Sequence, residues 1–169
     1  MKKSILNIAL LLLIFCSISA QEDYNLPQSK TTSPLTIVKS VYPSASKLVK
    51  INAIWNKAVD NKGKLLGYVF NSTEYGKGIS GFGGPVPTLV VTDKSQKIKK
   101  VAIIKSAEPP QYLQKVTSSN FLKKWNGKSI QQAKGVKVDG VTGATFSSRA
   151  IIKNVQLISK KATETKLKK

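Results

Sequence analysis

The sequence predicts an α+β protein, in which an antiparallel sheet built from hairpins carries helices on one side. Two observations predict this class. The middle of the chain has apolar, extended segments that are joined in pairs by short polar turns, and the last segment repeats apolar residues at helical spacing. Strands that come in pairs and are followed by helices are typical of this class.

The first hairpin is expected over residues 54–70. Apolar residues run to Val59, the turn-forming sequence Asp60–Gly63 follows, and Leu65–Phe70 resumes as a strand. Before this hairpin, helical spacing of apolar residues predicts a short helix over Leu35–Tyr42, which stops ahead of a proline.

A second hairpin is expected from the strands Thr88–Thr92 and 98–105. The loop between the two hairpins, Tyr75–Pro87, contains five glycines, which is more than a connecting turn needs.

Two helices are expected after the second hairpin. Ser118 or Ser119 is predicted to cap a short helix that ends at Gly127. Ser147 or Ser148 is predicted to be the N-cap of the last helix, which carries lysines on its polar face.

The domain organisation predicted is a signal peptide at residues 1–20, a polar linker at 21–33 and one domain at 34–169. Two lysines, a short apolar run and small residues before the expected cleavage point are typical of a secretory signal peptide. A membrane anchor is the alternative, but the run is shorter than the roughly 20 apolar residues that a span needs. Cys16 leaves a lipoprotein as a further alternative, which the large residue before it disfavours.

Two absences restrict the chemistry. The chain has no histidine, and its one cysteine lies in the expected signal peptide. A mature protein would therefore have no thiol nucleophile, no disulfide, no His-based triad and no zinc site of the usual kind. The eight acidic residues are scattered, which disfavours a paired-carboxylate hydrolase or an oxygen-ligated metal site. Redox chemistry in such a chain requires an organic cofactor.

The chain is strongly basic, with a formal net charge of +20. Removal of residues 1–20 takes away two lysines and no acid, which leaves +18. Such a charge can attract nucleic acid or an anionic membrane. Arg149 is the one arginine, however, and nucleic-acid readers use arginine for bidentate contacts. The lysines therefore indicate a solvated basic surface, which could also steer an acidic electron donor.

The turn before the last helix has the composition of an anion site. A helix N-terminus presents free N–H groups and a positive dipole end, and Gly143 lets the backbone come close to a ligand. The hydroxyl and guanidinium groups around it belong to Thr142, Thr145, Ser147, Ser148 and Arg149. The alternative is an ordinary capped helix start after a glycine turn.

The residues Asp139-Gly-Val-Thr142-Gly143-Ala144-Thr145 match the pattern Asp-x-x-Ser/Thr-Gly-Ala-Thr/Ser of covalently flavinylated domains. On this motif the chain resembles the FMN-binding domain family, which includes the C subunit of the sodium-translocating NADH:quinone reductase and the G subunit of the Rnf complex. The resemblance implies FMN as the cofactor, joined through its phosphate to Thr145 by an FAD-dependent flavin transferase. Asp139 then matches the acidic position that the transferase recognises, and Thr142, Gly143 and Ala144 shape the turn.

The resemblance extends over residues 64–158 and implies further contacts. The family's glycine-proline loop corresponds to Gly81–Pro85, and its segment before the motif corresponds to Ser106–Pro110, although Ser106 and Pro109 replace the histidine and threonine common there. Ser147 and Ser148 would donate to the phosphate or only cap the helix. The contacts implied for the flavin ring are Gly83, Gly84, Pro85, Glu108 and Tyr112. The alternatives are a bare connecting loop for the glycines and core packing for Tyr112.

The sequence therefore predicts an exported flavoprotein that carries electrons between donor and acceptor proteins, either free or membrane-bound. We expect no catalytic residue, no metal ligand and no nucleic-acid partner. The expected location is the periplasm or the outer face of the cytoplasmic membrane. A non-redox binding or accessory module on the same fold is the alternative.

Overall fold

The computed structural model describes residues 32–165. The predicted signal peptide at residues 1–20, Cys16 included, lies outside the described residues, and so do residues 21–31 and 166–169. The predicted division of the chain into leader, linker and domain therefore stays a prediction. Within the described part, no helix is both long enough and apolar enough to span a membrane.

Within residues 32–165, five strands form one antiparallel sheet, and their order across the sheet is their order along the chain. The strands are β1 (Lys47–Lys50), β2 (Asn56–Val59), β3 (Leu65–Asn71), β4 (Thr88–Asp93) and β5 (Ile98–Ile103). The pairs β2–β3 and β4–β5 confirm the two predicted hairpins. A further antiparallel pair, β1–β2, extends the sheet by one edge strand.

Both hairpin turns are built around an aspartate. The Asp60 carboxylate accepts hydrogen bonds from the backbone N–H groups of Lys62 and Lys64, each at 2.9 Å. Asp93 does the same in the second hairpin, at 2.9 and 3.0 Å. An aspartate at the start of a turn provides this local bonding by itself, which is why both turns are predictable from sequence.

In the described part of the chain four α-helices accompany the sheet, and a short 3-10 helix lies between the second and third of them. They are α1 (Pro34–Lys39), α2 (Pro110–Ser118), the 3-10 helix Phe121–Lys123, α3 (Ile130–Ala133) and α4 (Thr145–Glu164). The first and last are the predicted terminal helices, although α1 ends earlier than its apolar spacing predicts.

The prediction for the helix after the second hairpin is wrong in part. Ser118 is the last residue of α2, and Asn120 rather than either serine holds the N-cap position of the next helical turn. The Ser119 hydroxyl nevertheless accepts a hydrogen bond from the N–H of Phe121, the first residue of that turn, at 3.3 Å. The helical turn beyond them is the 3-10 helix, and Gly127 closes the region with a φ of +79°. α2 itself is not predicted from sequence; it is nine residues long, and Val116 is its one buried residue.

The predicted N-cap of α4 is also wrong. The helix begins at Thr145, and Ala144 at the N-cap position makes no side-chain cap hydrogen bond. Ser147 and Ser148 lie inside the first turn and are buried. Their hydroxyl groups donate to the Glu108 carboxylate and to a carbonyl oxygen within the turn, so neither is available to cap the helix.

Strand β4, which lies between β3 and β5, is buried on both faces of the sheet. Val90 packs in a large core with side chains of α2, α3 and α4, whereas Leu89 and Val91 pack in a smaller core with Val38 of α1. Successive residues of a strand face opposite sides, so these two cores lie on opposite faces. The α+β class is confirmed, and α2, α3 and α4 pack on one face as predicted. The helices are not confined to that face, however, because α1 covers the other one.

Candidate functional site

The first turn of α4 and the residues just before it form the centre of the candidate site. Thr145 is the first residue of α4 and is exposed, so its side chain is accessible from solvent. The first N–H groups of an α-helix have no acceptor within the helix, and Ala144 supplies no side chain to cap them. A helix start of this kind favours a bound anion.

Gly143 holds the turn before α4 in the left-handed region, at a φ of +73°. A Cβ atom at this position would lie 2.6 Å from the Nζ atom of Lys115. The ammonium group of Lys115, which α2 carries, therefore lies directly against the turn. Lys115 is missing from the residues predicted from sequence, because no local signal places α2 beside this turn.

An open pocket of about 250 Å³ lies beside Thr145. Phe82 and Tyr112 form part of its wall, with ring centroids 4.9 Å apart and ring planes at 54°. Phe146 also lines the pocket, and Phe82 and Phe146 are each 63% exposed, the highest values among the large hydrophobic side chains of residues 32–165. Exposed aromatic faces around one pocket suit a flat aromatic ligand. The sequence predicts Tyr112 here but neither phenylalanine.

The buried carboxylate of Glu108 joins three segments around the pocket. Its two oxygens accept hydrogen bonds from the Gly83 N–H at 2.9 Å and from the Ser147 hydroxyl at 2.5 Å, and the residue is 4% exposed. The glycine-rich loop, the segment before α2 and the first turn of α4 are thus fixed against one another. The structure brings together Gly83, Glu108 and Ser147, which the sequence predicts as parts of one site.

Close packing against the Glu108 segment explains two glycines of the loop. A Cβ atom at Gly81 would lie 2.1 Å from Oε1 of Glu108, and one at Gly83 would lie 2.6 Å from the carbonyl oxygen of Ala107. Any side chain at either position would displace the segment. These glycines therefore have a role within the protein, whether or not a flavin ring also lies against the loop.

The turn before α4 is also attached to the helix from its other side. Ser148 is buried, and its hydroxyl donates to the carbonyl oxygen of Ala144 at 2.9 Å and accepts from the N–H of Val141 at 3.1 Å. Asp139 is exposed, and its carbonyl oxygen accepts a hydrogen bond from Nζ of Lys124 at 3.4 Å.

The predicted site residues fall into two groups by their relation to the pocket. Those that line it are Tyr112, Gly143, Ala144, Thr145 and Ser147. Those that lie around it without lining it are Gly83, Gly84, Pro85, Glu108, Asp139, Thr142 and Ser148. Within residues 32–165 no group of three or more histidine, cysteine, aspartate or glutamate side chains could hold a metal ion.

Residues 81–159 match the family model of the FMN-binding domain. The chain contains an FMN-binding domain. The match begins in the glycine-rich loop and ends in α4, so every predicted site residue lies within it, whereas α1 and β1–β3 precede it. The family resemblance expected from the motif is confirmed, and FMN is the cofactor of this domain.

One solved structure similar to this FMN-binding protein is the crystal structure of Shewanella oneidensis NqrC. The two sequences are 22% identical, the match covers 66% of this chain and 61% of that chain, and the TM-score is 0.42. This chain therefore spans less than two thirds of the length of that relative. No curated protein matches the chain significantly.

The residues around the pocket fit a flavin mononucleotide. A phosphate carries negative charge, and the uncapped start of α4 and the Lys115 ammonium group supply positive charge. The flavin ring is flat and aromatic, and Phe82 and Tyr112 supply aromatic surfaces. Thr145 lies at the first helical position and lines the same pocket.

Proposed function

We propose that this protein is an exported flavoprotein, which carries FMN bonded through its phosphate to the Thr145 hydroxyl and serves in electron transfer. The observation that carries the proposal is the position of Thr145. Thr145 is exposed at the uncapped start of a long helix and belongs to a motif typical of flavinylated domains. It also lines a pocket whose walls include aromatic side chains.

Each part of the pocket has a role in this proposal. The first N–H groups of α4 would hold the phosphate, and Gly143 permits the tight turn that exposes them. Phe82 and Tyr112 give the ring an apolar surface. Bound FMN would supply reversible uptake and release of electrons, at a potential that hydrogen bonds and charges near the ring adjust. Glu108 fixes the glycine-rich loop to the first turn of α4 beside the pocket.

The proposed location and partners follow from the chain's N-terminal sequence and charge. The signal-peptide pattern favours a position in the periplasm or on the outer face of the cytoplasmic membrane, where a flavin transferase would use FAD as donor. A covalent bond would prevent loss of the cofactor there. The electron donor and acceptor would be proteins, free or membrane-bound, and the net charge of +18 that remains without residues 1–20 favours acidic docking surfaces on them.

The proposal is tested by expressing the full chain together with a flavin transferase and measuring its intact mass. We expect one FMN-sized adduct on the wild type, none on Thr145→Ala, and an adduct on Thr145→Ser, which keeps a hydroxyl. Thr142→Ala is the matched control, since Thr142 is an exposed threonine of the same turn.

Three outcomes would count against the proposal. An adduct that persists in Thr145→Ala contradicts attachment at this residue, and loss in Thr142→Ala alone would move the attachment there. A wild type that acquires no adduct beside a functional transferase would favour a non-redox accessory module on the same fold.

A further inference from the structure

We propose that Lys115 binds the phosphate group that joins FMN to Thr145, and so positions the attachment site. This inference rests on the proposed function, because it names a residue that acts on the same phosphate.

The position of Lys115 is the first argument. Lys115 and Tyr112 are three residues apart on α2, a spacing that places them on the same face of a helix. Tyr112 lines the pocket beside Thr145, and the Lys115 ammonium group lies against Gly143, two residues before Thr145. One face of α2 thus presents an aromatic ring and a cation to the two parts of the site.

The absence of an acidic partner is the second argument. The ion pairs found in residues 32–165 are Lys77–Glu74 and Lys160–Glu164, and neither involves Lys115. Lys115 is exposed, so its ammonium group beside the turn is accessible to an anion at the start of α4. A phosphodiester carries one negative charge and would supply the partner that the described residues do not.

The missing side chain of Gly143 is the third argument. A Cβ atom there would occupy the space that the Lys115 ammonium group now fills, at 2.6 Å. Glycine at this position therefore serves two purposes: it adopts the φ of +73°, and it lets a cation come close to the turn backbone. Lysine is a common phosphate ligand and acts as a point charge, so no particular side-chain plane is required.

The first test is lysine acylation of the full chain, with and without attached FMN, using limiting acetic anhydride and peptide mass spectrometry. We expect Lys115 to react at least about tenfold more slowly in the loaded protein, a factor that corresponds to about 1.4 kcal/mol of contact free energy. Lys153 is the matched control, because it is exposed on α4 two turns beyond Thr145 and should react equally in both forms.

The second test separates a charge contact from mere coverage by the flavin ring. Lys115→Gln should acquire FMN from the transferase about tenfold more slowly than the wild type, whereas Lys115→Arg keeps the charge and should stay close to it. Lys153→Gln removes the same charge elsewhere and should leave the rate unchanged. Thermal unfolding of each variant before loading checks that it folds.

The outcomes distinguish the two proposals. If the wild type takes up FMN but Lys115 is equally reactive in both forms, or if Lys115→Gln loads at the wild-type rate, the role of Lys115 is refuted and attachment at Thr145 stands. If the wild type takes up no FMN, the proposed function fails and the role of Lys115 fails with it.

Discussion

Glu108 shows how one residue holds the site together. A buried carboxylate is costly unless hydrogen bonds compensate it, and Glu108 has no basic partner among the ion pairs of the described residues. It is held by the Gly83 N–H and the Ser147 hydroxyl, and Ser147 lies in the first turn of α4, where the helix dipole favours negative charge. The carboxylate therefore fixes the loop by polar contacts that a hydrophobic residue could not replace.

We expect Glu108→Ala to lower the free energy of unfolding by about 1–3 kcal/mol, because it leaves the Gly83 N–H and the Ser147 hydroxyl without a buried partner. Glu108→Gln should cost less, since its amide oxygen can accept from Gly83 while its NH₂ group donates to Ser147. Urea denaturation measures both changes. Glu74→Ala is the control, because Glu74 is exposed and its ion pair with Lys77 is weak. Equal stability of Glu108→Ala and the wild type would contradict this role.

At the scale of elements, the short helix α1 covers one face of the sheet. This helix of six residues covers the face of the sheet opposite α2–α4, where β4 would otherwise expose Leu89 and Val91. A strand buried on both faces requires cover on both. The short helix α1 is therefore part of the smaller hydrophobic core.

Ile37→Ala tests the contribution of α1, since Ile37 is 5% exposed and belongs to the smaller core. We expect a loss of about 2–4 kcal/mol in the free energy of unfolding, the usual cost of truncating a buried isoleucine. Val49→Ala on the edge strand β1 is the control, because Val49 is 38% exposed and its truncation should change little. If the two variants lose similar amounts of unfolding free energy, the packing of α1 against the sheet does not contribute to stability as proposed.

Tyr42, which follows α1, links this helix to the sheet and responds to pH. Its hydroxyl donates to the carbonyl oxygen of Thr92 in β4 at 3.2 Å. Burial raises the pKa of Tyr42 above its usual value of 10.0, and the negative charge of Asp93 raises the pKa further. The stability that this group contributes is therefore fully present below pH 10.0 and is lost as the pH rises through the pKa of the folded state.

We expect Tyr42→Phe to flatten the fall in stability over the range that begins at pH 10.0 and extends through the raised pKa of the folded state, because it removes the titrating group. The measurement is the difference between the unfolding free energies of wild type and variant across this range, in which the shared titration of lysines cancels. A constant difference across the range would refute the role of Tyr42.

At the scale of the whole molecule, charge is the dominant feature. The net charge is +20, and the two ion pairs of the described residues are both exposed. Exposed pairs contribute little, so like-charge repulsion is largely unopposed in the folded state.

We therefore expect added salt to raise the melting temperature of the protein. Raising the salt concentration from about 20 mM to about 300 mM shortens the Debye length and so screens the lysines from one another, and each kcal/mol of relieved repulsion raises Tm by roughly 2–4 °C. Differential scanning calorimetry measures this rise. Sodium chloride and potassium chloride should act alike, because the effect depends on ionic strength. A Tm that stays flat or falls would mean that self-repulsion is unimportant.

The sequence by itself determined the features that depend on neighbouring residues. The hairpin turns are predictable because Asp60 and Asp93 bond to N–H groups within four residues, and the last helix because its apolar residues recur every turn. The motif ending at Thr145 is equally local, so it indicated the family and the cofactor that the match over residues 81–159 confirms.

Tertiary structure alone decided which distant segments meet. Glu108 bonds to residues 25 and 39 positions away, and Lys115 lies against Gly143 from α2, 28 positions earlier in the chain. The prediction of Ser147 as the N-cap of α4 is wrong for the same reason, because the Ser147 hydroxyl donates to the buried carboxylate of Glu108 in another segment. Local hydrogen bonds and periodicity depend on sequence spacing, whereas burial and long-range contacts depend on how the whole sheet and its helices pack.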